Sequence, residues 1–332
     1  MSNDIQLLKL ALKYAKLAEG FCAPNPAVGA IVVKHGEIIS SGYHQGPGTL
    51  HAERAALNKL TPSQAKDATL YVTLEPCFHH GRTPPCSDII IEKQIKRVVY
   101  AYHDPNPIIK QQGIKQLKEK GIECAYVDIE EINTFYKAYS HWWTTGKPWV
   151  TIKLAISSDK KIAGENGKPI KITSDKINLL THKKRLTSDA ILSTARTIIN
   201  DNPKLNARLH NQTFSKPVFV LDHHSELPKN AHIHETAKSI HVFKEKGLEN
   251  ILKTIGKQGI HQLWVEVGSR CFNRFIDDKY ADEIILYTTE SVIGKAGLNA
   301  NISPALHENY KANKKNYSNK TMIIALRKQN TY

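Results

Sequence analysis

Apolar positions along this chain switch repeatedly between helical and strand spacing. Leu8, Ala11, Leu12 and Ala15 recur on one helical face and predict an amphipathic helix near residues 4–19. Strands follow at 28–33 and 38–41, separated by the turn Lys34-His35-Gly36-Glu37. Ala52, Ala55, Ala56 and Leu57 supply a small packing face to a helix that starts at His51, and the run TLYVTL at 69–74 reads as a buried strand. A helix at 87–93, a strand at 97–102, a helix around 112–120 and a strand at 122–127 continue the alternation. The segment 135–148 reads as a helix running into a linker at Gly146-Lys147-Pro148.

The second half opens on a strict two-residue alternation, Val150, Ile152, Leu154 and Ile156, which predicts a strand over 149–156. Further strands are expected at 190–192, 217–221, 239–243, 262–267, 284–287 and 322–326, with helical segments between several of them. The chain contains neither internal repeats nor low-complexity stretches. Its 332 residues suffice for two cores. The pattern predicts an α/β protein of two domains, 1–146 and 147–332, the first a layered sheet with its site at strand ends.

Composition narrows the class. With 41% hydrophobic residues the chain is ordinarily globular, and no apolar run approaches the roughly 20 residues that span a bilayer. No small-residue cleavage site follows an apolar core at the N-terminus, so the first helix is expected to be an amphipathic surface helix rather than a targeting peptide. Five cysteines are present, and Cys22, Cys124 and Cys271 show no pairing pattern, so a reducing cytoplasm is expected. Residues 1–147 carry 17 Lys+Arg against 14 Asp+Glu, so most of the +15 net charge, +12, sits in the second half. A basic domain beside an enzyme suggests a nucleic-acid clamp. Here Lys229, Lys238, Lys314, Lys315 and Lys320 fall in expected loops without the interleaved aromatics that stack single-stranded bases. A solvated basic surface accounts for them, and neither nucleic acid nor membrane is expected as a partner.

The chemistry lies in His51-Ala52-Glu53, answered by Pro76-Cys77 and, eight residues further on, by Cys86. One imidazole and two thiolates leave a tetrahedral Zn²⁺ one position for water, whereas structural sites close all four. Glu53, two residues from the ligating His51, is placed to take the water's proton and pass it to a leaving amine. This is the layout of zinc-dependent deaminases, H-x-E followed by P-C-x-x-C. The bland alternative is a structural zinc knuckle, or two buried free cysteines beside a surface histidine. His-x-Glu and Pro-Cys are each weak signals; their order, composition and helix–strand setting make the conjunction specific.

Asn25-Pro26-x-Val28-Gly29, Gly42-Tyr43-His44, His51-Ala52-Glu53 and the run TLEPCFHHGRTPPC ending at Cys86 resemble the deaminase half of the RibD family. These are the bifunctional pyrimidine deaminase/reductases of riboflavin biosynthesis. The eight-residue cysteine gap and Asp104-Pro-Asn106-Pro strengthen the likeness; nucleic-acid deaminases more often have a two-residue gap. The resemblance implies a cytidine-deaminase-like first domain and a dihydrofolate-reductase-like second one, with Zn²⁺ and NADPH as cofactors. It also implies deamination of a phosphorylated diaminopyrimidine, then reduction of its ribosyl group, in a homo-oligomer. Asn25, His44, His79, Arg82, Asp104 and Asn106 are the implied ring and phosphate contacts.

No G-x-G-x-x-G fingerprint occurs in the second half, so a Rossmann dinucleotide site is unsupported. The resemblance there rests on Lys153, Arg185, Thr197, Asp201-Asn202-Pro203-x-Leu205-x-x-Arg208 and Trp264-Val-Glu266-Val-Gly268. It implies that Lys153 and Glu266 position or protonate the ribosyl oxygen. Pro169, Arg185, Leu205, Arg208 and Glu266 would contact substrate, the two guanidinium groups suiting phosphate. Ala155, Lys171, Thr197, Asp201, His223, Gly268, Ser269 and Arg270 would contact NADPH, Gly268 allowing close approach of cofactor phosphates. Three departures from the family pattern stand out: Pro169-Ile170-Lys171 in place of Ser-x-Trp, Thr288-Thr289-Glu290 in place of an Ala-Pro, and Arg196, whose length is expected to crowd the cofactor turn. In the first half, Ala23 and Phe78 replace residues often found as His and Ser. A degenerate reductase half serving as scaffold is the second reading. A nucleic-acid deaminase is the third, opposed by the cysteine gap and the missing stacking aromatics.

Overall fold

The helical spacing at the N-terminus forms α1 (Ser2–Lys16), with Leu8, Ala11, Leu12 and Ala15 all buried. The structure, a computed structural model, describes residues 2–78, 84–107, 111–318 and 321–328. The chain divides into two compact units, Met1–Gly146 and Lys147–Tyr332.

After α1, the first unit runs β1 (Gly29–Lys34), β2 (Glu37–Tyr43), α2 (Ala52–Leu57), α3 (Pro62–Ala65), β3 (Thr69–Val72), α4 (Cys86–Glu92), β4 (Arg97–Tyr100), α5 (Gln112–Glu119), β5 (Glu123–Tyr126) and α6 (Glu130–Thr145). Its five-stranded sheet has the order β2-β1-β3-β4-β5. The hairpin β1–β2 and the pair β1–β3 are antiparallel, and β3–β4–β5 are parallel. Successive side chains of a strand point to opposite faces, and this sheet is buried on both. Ala30, Val32, Leu70, Val72 and Val98 pack with α2, α4 and α5. Ile31, Val33, Tyr71 and Val99 pack with α1 and α6. The acidic first turn of α6, Glu130-Glu131, hid its start, which lies earlier than the 135 expected; Ile132, Tyr136 and Tyr139 form its buried face.

The second unit comprises β6 (Trp149–Ile156), β7 (Lys161–Glu165), α7 (Asp175–Thr187), β8 (Ala190–Thr194), α8 (Ala195–Asp201), β9 (Ala207–Leu209), β10 (Gln212–Phe214), β11 (Pro217–Leu221), α9 (Ile233–Thr236), β12 (Ser239–Phe243), α10 (Leu248–Lys257), β13 (Gln262–Glu266), α11 (Ser269–Asp277), β14 (Glu283–Thr289), β15 (Gly297–Asn299), α12 (Ala305–Asn309), β16 (Tyr310–Ser318) and β17 (Thr321–Lys328). Eight strands form one sheet, β12-β11-β8-β13-β6-β14-β17-β16. From β12 through β14 the neighbours are parallel, while β17 and β16 close the far side as an antiparallel pair. The alternation of β6 buries Val150, Ile152, Leu154 and Ile156 against α10, α11 and α12. The opposite face of the sheet packs on α7, α8 and α9 through Ile191, Val218, Val220 and Trp264. The strand β16 (YKANKKNYS) is too polar to read as a strand, and Lys314 and Lys315 lie on it rather than in a loop. Edge strands tolerate such composition because lysine there discourages edge-to-edge pairing. Lys320 lies outside the described residues. Among the described residues, no helix is long and apolar enough to cross a membrane.

Candidate functional site

In the first unit, three segments meet beyond the ends of the parallel strands, the position where open α/β sheets place ligands. His51 caps the N-terminus of α2 in extended conformation, Cys77 follows β3 and Cys86 opens α4. His51 Nδ1 lies 3.5 Å from Cys77 Sγ and 3.4 Å from Cys86 Sγ. All three donor atoms are within 4.8 Å of one another. Zinc bonds of about 2.0 Å to nitrogen and 2.3 Å to sulfur, at a tetrahedral angle, put the two donors about 3.5 Å apart. The donor set therefore fits zinc. The Cys86 backbone N–H donates to Cys77 Sγ at 3.3 Å. A hydrogen bond from Cys86 and the proximity of His51 hold the Cys77 thiol down to about 4, against the opposing effect of burial. Glu53 is buried, and desolvation, reinforced by the charge of Cys77, pushes its carboxyl up to about 7.

Several contacts hold this arrangement. Arg54 donates from Nε to Pro84 O (3.0 Å) and from Nη2 to Pro85 O (2.8 Å), tying α2 to the loop that delivers Cys86. At Gly42 on β2, a Cβ would lie 2.5 Å from Ala56 N and 2.6 Å from Ala52 O, so only glycine admits α2 this close. At Gly113, likewise, a Cβ would collide with the carbonyl oxygen of Pro76, the residue before Cys77. His44 Nδ1 pairs with Leu50 O at 3.1 Å, which leaves Nε2 to accept from Asn25 Nδ2, also at 3.1 Å. Burial lowers the pKa of His44, in keeping with this neutral tautomer. Asp104 is buried after β4 and accepts from Asn106 N at 2.9 Å, while Asp104 N donates to Glu75 Oε2 at 3.4 Å. Burial pushes the Asp104 carboxyl up to about 6. His79 and Arg82 lie outside the described residues.

The second unit assembles its own constellation at the carboxyl ends of β6, β8, β11 and β13. Glu266 pairs with Lys153 across the β6–β13 ladder. Arg185 grips Glu266 with both arms of its fork, Nε to Oε1 at 2.6 Å and Nη2 to Oε2 at 2.9 Å, and Trp264 Nε1 donates to Oε1 at 2.7 Å. Burial raises the Glu266 carboxyl, but the Arg185 charge and hydrogen bonds, with Lys153 and Trp264, outweigh it and hold the pKa at about 2. Desolvation lowers Lys153, opposed by Glu266, and its ammonium lies 5.9 Å from the Tyr287 ring centroid. Arg185 Nη1 reaches Asn206 O at 3.1 Å, and Asn206 Oδ1 accepts from Arg208 Nη1 at 2.5 Å. Leu205 is buried at φ 41°. Thr194 caps α8 by accepting from Thr197 N. Gly268, the N-cap of α11 before Ser269 and Arg270, has open space where a Cβ would stand. That space at a helix N-terminus suits the phosphates of NADPH.

Residues 1–102 match the cytidine and deoxycytidylate deaminase zinc-binding region, and residues 148–314 match the RibD C-terminal domain. The riboflavin biosynthesis protein RibD of Aquifex aeolicus is 37% identical over 319 residues, covering 88% of each chain. The chain belongs to the RibD family.

Among solved structures, RibD of Acinetobacter baumannii superposes with a TM-score of 0.90 at 28% identity, covering 99% of each chain. A Thermotoga maritima protein described as a diaminohydroxyphosphoribosylaminopyrimidine deaminase/5-amino-6-(5-phosphoribosylamino)uracil reductase gives 0.88 at 31% identity over 98% of each. The chain is a bifunctional enzyme of riboflavin biosynthesis with an α/β deaminase half and a reductase half. Zinc belongs to the first, through His51, Cys77 and Cys86, and NADPH to the second.

Three expectations change in detail. Arg185, read as a phosphate ligand, is buried and turned onto Glu266, because an ionised carboxylate at that depth needs a cation. Glu266, held ionised, is unsuited to donating a proton. Arg196 stands exposed on α8 rather than packed into the turn. Among the remaining second-half candidates, Pro169 is exposed, Lys171 forms an exposed ion pair with Asp175 at 2.7 Å, and His223 Nδ1 pairs with Lys244 O at 3.2 Å. Ala155 packs on the α7–α9 face, and Asp201 ends α8, its carboxyl raised by burial and lowered by Lys153. Sequence reasoning missed Arg54, Glu75 and Asn206. Arg54 meets Pro84 and Pro85, Glu75 meets Asp104, and Asn206 meets Arg185 as well as its neighbour Arg208; the long-range partners leave no local pattern.

Proposed function

We propose that residues 1–146 release ammonia from the diamino-pyrimidinone ribosylamino 5′-phosphate and that residues 147–332 then reduce the ribosyl group to ribityl with NADPH. The observation that carries the reading is the buried Glu53 beside three zinc-compatible donors, in a chain whose second half is the RibD reductase domain. A zinc ion on His51, Cys77 and Cys86 supplies Lewis acidity that brings the pKa of water towards neutrality. Glu53 accepts the proton released as the amine-bearing ring carbon is attacked, and returns it to the departing ammonia. Asn25, His44, His79, Arg82, Asp104 and Asn106 hold ring and phosphate. The neutral His44, with its Nδ1–H committed to Leu50 O, accepts from Asn25 Nδ2 on Nε2 and so fixes the side chain of Asn25.

In the reductase half NADPH supplies the hydride. Lys153 donates the proton to the ribosyl oxygen, and Glu266 orients it as a fixed anion, itself held by Arg185 and Trp264. Arg208, with Pro169 and Leu205, contacts the sugar-phosphate; Ala155, Lys171, Thr197, Asp201, His223, Gly268, Ser269 and Arg270 line the cofactor side. None of the five cysteines is joined in a disulfide, which suits a reducing compartment, the cytoplasm. Supplying the phosphorylated diaminopyrimidine should release ammonia and then consume NADPH. Ammonia without NADPH oxidation would leave only the deaminase, and deamination of tRNA or an oligonucleotide instead would refute both halves.

A further inference from the structure

We infer that Tyr136 and Tyr139 of α6 are positioning residues for the deaminase site, bracing the two loops that carry Asn25 and Asp104. The inference rests on the deaminase reading of the first unit. Tyr136 is buried, and its hydroxyl stands 2.6 Å from Thr73 Oγ1 and 2.9 Å from Ala27 O. Gly29 N donates to the same Thr73 Oγ1 at 3.2 Å. One assignment satisfies every group: Gly29 N–H to Thr73, the Thr73 hydroxyl to Tyr136, and the Tyr136 hydroxyl to the Ala27 carbonyl. This relay joins the start of β1, the segment leading from β3 to Cys77, and the loop of Asn25. That loop in turn holds His44, since Asn25 Nδ2 meets His44 Nε2 and His44 N donates to Val28 O.

One turn along the same face of α6, the buried Tyr139 hydroxyl donates to Asp104 Oδ1 at 3.3 Å. The same oxygen takes the Asn106 N–H, so the carboxylate is fixed from two directions. A buried tyrosine hydroxyl ordinarily finds some partner. What sets this pair apart is that residues three apart on one helix reach both substrate loops, while their rings belong to the core on the α1–α6 face. Replacing either by phenylalanine keeps the ring in the core and removes the bracing hydroxyl.

The test uses the full-length zinc-loaded chain as Tyr136→Phe and as Tyr139→Phe. Tyr136→Phe should speed amide hydrogen exchange in peptides covering 22–28 by about tenfold, the equivalent of one buried hydrogen bond, and leave β1, β3 and the second unit unchanged. Tyr139→Phe should raise KM for ammonia release about tenfold with a smaller effect on kcat, while zinc per chain and NADPH oxidation of the deaminated substrate stay as in the parent. Parent-like exchange and KM would overturn the inference, as would faster exchange throughout the first unit, which marks a merely structural role. Parent protein that releases no ammonia from the phosphorylated diaminopyrimidine refutes the deaminase reading instead, and the exchange result still decides the bracing.

Discussion

Glu266→Gln tests the most charged feature of the second unit. The substitution keeps the side chain's shape and removes the anion that faces a buried guanidinium at 2.6 and 2.9 Å. Lowering a carboxyl from its ordinary 4.5 to about 2 corresponds to about 3 kcal/mol in favour of the charged form. Breaking a buried pair by removing one partner costs about 3–5 kcal/mol by mutational precedent, and the two figures agree. Since the folded pKa is depressed, this stability is present above the unfolded pKa and is lost as pH falls towards 2. Near pH 4 about 1 kcal/mol of it should already be gone. Pulsed hydrogen exchange of the β13 peptide 262–266 along a urea series reads the second unit apart from the first. The variant should unfold about 3 kcal/mol more easily at pH 7, and the gap should narrow at pH 4. A difference below about 1 kcal/mol, or one independent of pH, would refute the pairing as a stabilising interaction.

Three further outcomes are expected. Glu53→Gln should retain one zinc per chain by elemental analysis and lower ammonia release at least about 10²-fold, the usual weight of a general acid–base; parent-like turnover would refute its role in proton transfer. Gly42→Ala should force α2 away from β2, given a Cβ 2.5 Å from Ala56 N, costing about 1–3 kcal/mol and weakening zinc retention in a chelator competition. Unchanged retention would show that the two elements yield without disturbing His51. Asp4 accepts from Tyr71 (2.8 Å) and from both Arg97 arms (3.1 Å each), and the Arg97 hydrogen bonds lower its pKa. Asp4→Asn should therefore destabilise the first unit by about 1–2 kcal/mol at neutral pH, with the difference vanishing as the parent's carboxyl protonates in acid.

The zinc ligands were legible because their chemistry is written in residue types and short spacings. His51, Glu53, Cys77 and Cys86 come from three segments, yet each segment announces itself by a local pattern: a capped helix, an apolar strand ending in Pro-Cys, a second helix start. The strand β6 was legible for the same reason, its two-residue alternation mapping directly onto one buried face. The edge strand β16 was not, because its pairing with β17 depends on a neighbour rather than on its own composition.

By itself, then, the sequence determined the α/β class, the two-core organisation, the metal donors and the glutamate proposed for proton transfer, all of which follow from periodicity and ligand chemistry within a few residues. Only the tertiary structure decided what those groups lean on. Arg185 faces inward because the largely buried carboxylate of Glu266, 81 positions away in the chain, needs a cation. Arg54 clamps Pro84 and Pro85, Gly42 and Gly113 are glycines because backbone passes within van der Waals contact, and two α6 tyrosines reach the substrate loops. Each is a contact between segments far apart in sequence, set by packing geometry, which leaves no periodic trace in the chain.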